Sequence, residues 1–203
     1  MKARPEARKK GRLIALEGAC GADLITVARH LSSRLQKKGI LAGVSQWDAS
    51  GLFFELRRRD KERPGPSPRT LLLLYANDLV FRLRWEIEPA LKEGMFVIAA
   101  PYLESAFAFG KATGIPKSWV VELFRFAPAA EACYRIHEPK HPDKTAKSTF
   151  AYLENMTRLL FKKSPYRDPD EIRAKVVDYL EHLERKGGCK LLTKKIPKAA
   201  VQK

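Results

Sequence analysis

The chain has 203 residues, of which 45% are hydrophobic, so it is long enough to bury a core and is expected to form one main domain. Its longest apolar runs are too short to span a bilayer. No apolar stretch of signal-peptide type follows the charged N-terminal sequence, so a cytoplasmic protein without membrane contact is expected. The net charge of +16 suggests a polyanionic partner, but residues 1–12 carry +5 of it and residues 185–203 carry +7. The body between these basic tails is only mildly basic.

The first predicted elements are a strand at Leu13–Leu16 and a helix after Gly21. The helix is indicated by an apolar stripe with spacings of four, three and four residues, which ends at Gly39. Further elements are predicted in chain order at Ile40–Val44 (strand), Phe53–Arg63 (basic helix), Pro64–Pro68 (breaker), about Arg69 to Lys92 (long helix ending at Gly94), Met95–Ala100 (buried strand), Glu104–Phe109 and Lys117–Arg125 (helices), 132–138 (strand), Thr149–Phe161 and Asp168–Lys186 (helices) and Cys189–Leu192 (strand). Strands that alternate with helices predict an α/β fold with a parallel sheet of about five strands flanked by helices.

The three cysteines, Cys20, Cys133 and Cys189, lie far apart in the sequence and form no C-x-x-C pair. This pattern suits a reducing cytoplasm and argues against a disulfide scaffold or a cysteine zinc site. His137 and His141 are four residues apart near Glu138, but prolines interrupt any helix there, so no metal site is predicted.

The turn between the first strand and the first helix has the layout of a phosphate-binding loop without its usual side chains. In the pattern G-x-x-x-x-G-K-[ST], counted from Gly18, the last three places hold Asp23, Leu24 and Ile25. A slip of one residue recovers a hydroxyl at Thr26 but supplies no lysine. Backbone N–H groups can still bind an anion there, whereas Leu24 also fits the apolar stripe of a core-facing helix. The residues of this degenerate loop are Gly18, Cys20, Gly21, Ala22, Asp23, Leu24, Ile25 and Thr26.

Three segments, RLIALEG, LLLLYANDLVFRLRWEIEPALKEGMFVI and PYLESAFAFG, make the chain resemble the thymidylate kinases, a P-loop family of nucleoside monophosphate kinases. The resemblance extends over roughly Arg12 to Glu138. It implies a P-loop NTPase-like three-layer α/β/α fold, a homodimer formed through helices and, in an active kinase, ATP and Mg²⁺ as cofactors. It also marks candidate residues of the substrate pocket, which are Tyr75, Asp78, Tyr102, Glu104, Ser105 and Phe109. The aromatic members can instead fill a closed core, and the two acids can be solvated surface residues.

Several groups that the resemblance leads us to expect are absent. Leu24 replaces the loop lysine, Leu79 replaces a monophosphate-binding arginine, and Ala100-Pro101 replaces an Asp-Arg pair. Cys20 stands at an acidic position of the loop, and Gly110 replaces a base-reading amide. Removing one preorganised transition-state donor costs about a hundred- to a thousand-fold in rate. Cations of a lid between the fourth and fifth strands can offset such losses, and the candidates are Arg158, Lys162, Lys163 and Arg167.

Three functions therefore stay open. The first is a catalytically degenerate thymidylate-kinase-like protein that acts by binding a nucleotide or a partner. The second is an active, divergent thymidylate kinase that uses the lid cations with ATP and Mg²⁺. The third is a protein that binds nucleic acid or another polyanion through its basic tails, with the cluster at residues 57–63 as a further basic surface or a solvated helix face. The expected division is a basic tail at 1–11, a thymidylate-kinase-like domain at 12–193 and a second basic tail at 194–203.

Overall fold

The computed structural model describes residues 10–19, 21–52, 55, 66–137 and 169–192, and for residues 21–23, 169 and 170 it describes the backbone only. Within this part of the chain, five strands form one sheet in the order β2-β3-β1-β4-β5, and every pair is parallel. The strands are β1 (Arg12–Glu17), β2 (Ala42–Gln46), β3 (Phe96–Ala100), β4 (Ala132–Arg135) and β5 (Lys190–Leu191). The predicted parallel sheet of about five strands is confirmed.

Both faces of the central strand are covered. The side chains of Leu13 to Glu17 in β1 are all buried. Because successive side chains of a strand point to opposite faces, packed residues must lie on each side of the sheet. The helices that supply this cover are α1 (Gly21–Gln36), α2 (Pro68–Arg82), α3 (Glu88–Lys92), α4 (Leu103–Ala112), α5 (Lys117–Leu123) and α6 (Pro169–Arg185).

The predicted long helix is present, and it has a widened turn. The N-terminus of α2 is capped by Ser67, whose hydroxyl accepts a hydrogen bond from the Thr70 N–H at 3.2 Å, and Pro68 occupies the first helical position. A π-helical segment, Leu83–Ile87, joins α2 to α3. Pro89 comes two residues after this segment and has no N–H for the carbonyl four residues earlier, so a local change of hydrogen-bond pattern is inexpensive there.

The second strand begins two residues later than predicted. Ile40 donates its N–H to the Leu35 carbonyl and so still belongs to the end of the preceding helix, and the Leu41 side chain is exposed. The apolar run that starts at Ile40 therefore includes two connecting residues before the ladder begins at Ala42. The predicted helices at Phe53–Arg63 and Thr149–Phe161 lie largely outside the described residues.

A disulfide joins Cys133 to Cys189, so the sequence-based argument against disulfide pairing was wrong. The two cysteines are 56 residues apart in sequence, but β4 and β5 are neighbours and Tyr134 lies opposite Lys190. This register places the preceding residues, Cys133 and Cys189, side by side with a Cα–Cα distance of 4.7 Å. Spacing along the chain cannot reveal such a pair, because the sheet order brings the cysteines together.

Candidate functional site

The degenerate loop lies where the sequence places it, at the carboxyl end of β1. Gly18 and Ala19 follow the strand, and α1 begins at Gly21. Leu24, at the position of the missing lysine, is fully buried in the core, whereas Ile25 is half-buried and Thr26 is exposed. Cys20 lies outside the described residues, as do the side chains of Ala22 and Asp23. The lysine position is thus occupied by an apolar side chain that packs in the core.

A buried carboxylate next to the loop occupies the N-terminus of α4. Glu17 is fully buried, and its carboxylate accepts hydrogen bonds from the N–H groups of Tyr102 (3.2 Å), Glu104 (3.1 Å) and Ser105 (3.0 Å). The Ser105 hydroxyl donates a further bond to Glu17 at 2.6 Å and accepts one from the Gly18 N–H at 3.3 Å. The N–H groups that a helix N-terminus offers to an anion are therefore used by the protein's own side chain.

Burial makes Glu17 a weak acid. Desolvation raises its pKa from 4.5 to about 7, with a smaller contribution from the charge of Glu104, against the opposing effect of the hydrogen bonds from Ser105 and the backbone. Sequence reasoning did not single out Glu17. The available signal was a carboxylate at the end of an otherwise apolar strand.

An arginine that sequence reasoning also missed lies at the carboxyl ends of β2 and β3. Arg82 is fully buried, and its Nε donates to the Ser45 hydroxyl at 2.9 Å while Nη2 donates to the Ser45 carbonyl at 2.8 Å. Its Nη1 donates to the Pro101 carbonyl at 2.9 Å, and the Ser45 hydroxyl donates to Glu86 at 2.6 Å. Ligands of open parallel sheets bind at this edge. All three guanidinium nitrogens of Arg82 are engaged by the protein there.

Asp78 lies one turn before Arg82 and is fully buried, so the interpretation of this acid as a solvated surface residue is wrong. Its Oδ1 accepts the Ser50 N–H at 2.8 Å, and its Oδ2 has no hydrogen-bond partner among the described residues. Burial raises the pKa of Asp78, while the Ser50 hydrogen bond and the charge of Arg82 lower it. Asp78 is thus a buried acid with one unused acceptor at the candidate site.

The aromatic candidates pack in a closed core. Tyr75 and Tyr102 are buried and donate their hydroxyls to the backbone carbonyls of Tyr102 and Pro128, respectively. Phe109 is fully buried. The ring centroids of Trp47 and Tyr75 are 4.6 Å apart, so these two aromatic side chains pack against each other. At Gly110 an added Cβ would come within 2.9 Å of the nearest Val120 methyl group. The aromatic side chains that the resemblance assigns to a substrate pocket therefore fill space in the core, and the two tyrosines bond to the backbone.

Ser105 and Glu104, the two remaining candidates for the substrate pocket, both bond to side chains of the protein. Ser105 is buried against Glu17, as described above. Glu104 is half-buried and accepts the Tyr179 hydroxyl of α6 at 3.2 Å, and burial raises its pKa. The lid candidates Arg158, Lys162, Lys163 and Arg167, the basic cluster at 57–63, Glu138, His141 and nearly all of both tails lie outside the described residues.

Comparison with known proteins identifies sequence relatives that are named thymidylate kinases. No protein-family model matches it. A probable thymidylate kinase from Caldivirga maquilingensis is 28% identical over 149 residues, which are 71% of this chain and 72% of that protein. The thymidylate kinase of Synechococcus sp. strain CC9311 is 28% identical over 85% of this chain and 80% of its own length. A probable thymidylate kinase from Thermococcus onnurineus is 29% identical over 77% of this chain and 85% of its own length.

The parallel five-stranded sheet, with a glycine turn leading from the central strand into α1, defines an α/β protein of the P-loop kinase class. Within that class the chain is similar to the thymidylate kinases, because the relatives named above are 28–29% identical to it over 71–85% of its length. The relatives support a kinase-like P-loop function at the level of the family.

Proposed function

We propose that this protein is a catalytically degenerate thymidylate kinase homologue that acts by binding a nucleotide or a protein partner and does not transfer phosphate efficiently. The observation that carries the proposal is the fully buried Leu24 at the lysine position of the loop. A P-loop neutralises the transferred phosphates with that lysine and binds magnesium through the hydroxyl that follows it. An apolar side chain in the core supplies neither group.

The surroundings of the loop support the same conclusion. Pro101, which stands where the family resemblance expects the arginine of an Asp-Arg pair, offers its carbonyl to Arg82. The N-terminus of α4 bonds to Glu17, and Val120 occupies the space next to Gly110. Each lost donor is expected to cost about a hundred- to a thousand-fold in rate, and losses in one site are not fully additive. Together they would remove most of an ordinary rate enhancement.

The test is a turnover measurement on the purified full-length chain with ATP, magnesium and thymidylate, alongside a thermal-shift series with each nucleotide. We expect product formation far below the enzyme range of about 1–1,000 per second. Stabilisation by a nucleotide without magnesium dependence would identify the bound ligand. Turnover within the enzyme range would contradict the proposal and favour the active kinase with lid cations.

We further propose a homodimer, because one face of the long helix is exposed and apolar. The side chains of Leu73, Val80, Phe81 and Trp85 are all exposed, and Trp85 is 68% exposed. They recur at helical spacing on α2 and on the π-helical segment, so they form one surface, called here the α2 face. A second copy of the same chain would cover this face in a symmetric interface.

The remaining parts of the proposal concern the tails and the location. Association of the basic tails with nucleic acid depends on residues outside the described part of the chain, and its signature would be a steep dependence of affinity on salt. A cytoplasmic location is part of the same proposal. Within the described residues, no helix combines the length and the hydrophobicity that crossing a bilayer requires.

A further inference from the structure

A cavity lies away from the loop, between the C-terminal half of α4, the start of α5 and the end of α6. Its volume is about 520 Å³. Ligand sites for small organic molecules commonly measure about 300–1,000 Å³, so this cavity has the size of one. Its floor is apolar and comes from all three elements and the loop between α4 and α5; it consists of Phe107, Ile115, Val120, Tyr179 and Leu183.

The rim of this cavity carries positive charge from the three elements that surround it. Lys111 belongs to α4, Lys117 begins α5, and Lys186 directly follows α6. All three lysines are exposed, and none of them is within salt-bridge distance of a carboxylate among the described residues. The charge of Lys117 lowers the pKa of Glu104, against the larger effect of burial, and the Glu104 carboxylate already accepts the Tyr179 hydroxyl.

Two features show that this charge is concentrated and partly ordered. His182 also lines the cavity, and Lys186, partial desolvation, Arg185 and Lys111 together lower its pKa, as expected in a positive field. The ammonium group of Lys111 lies 5.5 Å from the centre of the Tyr179 ring. A cation–π contact of this kind holds the charge over the apolar floor and reduces the entropy lost when a ligand binds.

We propose that this cleft binds a small organic phosphate whose apolar or aromatic body rests on the Phe107–Leu183 floor while its phosphate meets Lys111, Lys117 and Lys186. Lysine is a common ligand of phosphate groups, and three ammonium groups around one opening, none in a salt bridge with another described residue, favour a multiply charged anion. The concave apolar floor favours a small molecule over a nucleic-acid strand, whose backbone needs only an open basic surface. The site is separate from the degenerate loop and does not depend on the proposed loss of catalysis.

The probe for this proposal is 1-naphthyl phosphate, titrated calorimetrically into the full-length protein at low salt. Inorganic phosphate alone and uncharged 1-naphthol form the two comparison arms. We expect 1-naphthyl phosphate to bind at least about tenfold more tightly than either, because only this probe uses both the floor and the rim. Equal binding of all three probes, or no binding of 1-naphthyl phosphate, would overturn the proposal.

Charge reversal then assigns the binding to this cleft. The double variant Lys117→Glu/Lys186→Glu is expected to weaken 1-naphthyl phosphate binding by at least about tenfold. The matched variant Lys37→Glu/Lys92→Glu changes the net charge equally at two exposed lysines outside the cleft and is expected to stay within about twofold of the unmodified protein. Equal losses in both variants would show a general charge effect and overturn the site. Loss of oligoribonucleotide binding in the cleft variant alone, without any binding of 1-naphthyl phosphate, would assign the cleft to nucleic acid and also overturn it.

Discussion

At the scale of single residues, the main feature of the candidate site is a set of buried ionisable side chains whose hydrogen bonds are made within the protein. Glu17 and Arg82 are both fully buried and bond to the ends of strands and to the N-terminus of α4. A buried charge is tolerated only where hydrogen bonds replace its hydration. These two side chains therefore stabilise the edge of the sheet where a related kinase would need free groups for its substrates.

The buried carboxyl of Glu17 is expected to make stability depend on pH. Because its folded pKa of about 7 lies above the ordinary 4.5, its contribution is fully present below pH 4.5 and is lost as pH rises through about 7. The free energy of unfolding should then fall by about 3 kcal/mol across this window. The raised pKa values of Asp78 and Glu104 act in the same direction.

Urea unfolding of Glu17→Gln at several pH values measures this effect. The variant is expected to show a clearly shallower fall of stability between pH 4.5 and 7 than the unmodified protein, since Gln does not titrate. Glu88→Gln, at an exposed position of α3, is the matched control and should retain the original slope. An unchanged slope in Glu17→Gln would contradict the assignment.

Replacing Arg82 tests whether it holds the ends of β2 and β3 together. In Arg82→Met the Ser45 and Pro101 carbonyls lose their buried donor, so the free energy of unfolding is expected to fall by about 3 kcal/mol. Arg84→Met removes an exposed arginine two residues away and should change stability by less than about 0.5 kcal/mol. Chemical denaturation of both variants decides between a structural arginine and a dispensable one.

At the scale of elements, the C-terminal part of the fold is attached to the sheet by three kinds of contact. The disulfide joins Cys133 in β4 to Cys189, Arg135 of β4 pairs with Glu184 of α6, and β5 adds a short ladder beside β4. The β5 strand has only two residues and contributes few hydrogen bonds. Its position therefore depends strongly on the disulfide and on the packing of α6.

Reduction of the disulfide is expected to lower stability without changing the sequence. Chain-entropy arguments for a cross-link between residues 56 apart give a loss of about 4 kcal/mol as an upper figure. Denaturation with and without reductant measures the difference, and Cys133→Ala/Cys189→Ala should be insensitive to reductant. Thiol titration of the denatured oxidised protein should find only Cys20 free. Three free thiols, or equal stability in both conditions, would exclude the disulfide.

At the scale of the whole molecule, exposed surface rather than the core indicates possible partners. The α2 face presents large apolar side chains on a helix, whereas the cleft between α4, α5 and α6 presents lysines around an apolar floor. The first suits another protein surface and the second a small anion. Neither surface includes the buried groups of the degenerate loop.

The α2 face is tested by light scattering on the full-length chain. We expect a mass of twice 23.0 kDa, and we expect Val80→Glu/Trp85→Glu to shift it towards the monomer because two charges would have to be buried in the interface. Leu41→Glu, also at a highly exposed apolar side chain, lies in the connection before β2 and should leave the mass unchanged. A monomer at high concentration in the unmodified protein would refute the dimer.

The sequence by itself determined the kind and order of the described elements and the position of the degenerate loop. Apolar periodicity is local, so it located α1, the long helix at 68–92 and the buried strand β3 within a few residues. The absence of a lysine from the loop is also visible in the sequence alone. The sequence-level alternative that Leu24 is a core residue is confirmed by its complete burial.

Tertiary structure alone decided which distant residues meet. Glu17 and Ser105 are 88 positions apart, Ser45 and Arg82 are 37 apart, and the disulfide spans 56. Each contact depends on the order in which the strands assemble, and no local pattern encodes that order. The same dependence explains why the cysteines were misjudged, why Asp78 is buried, and why lysines from three separate elements surround one cleft. Local periodicity specifies the elements, whereas long-range packing determines the chemistry between them.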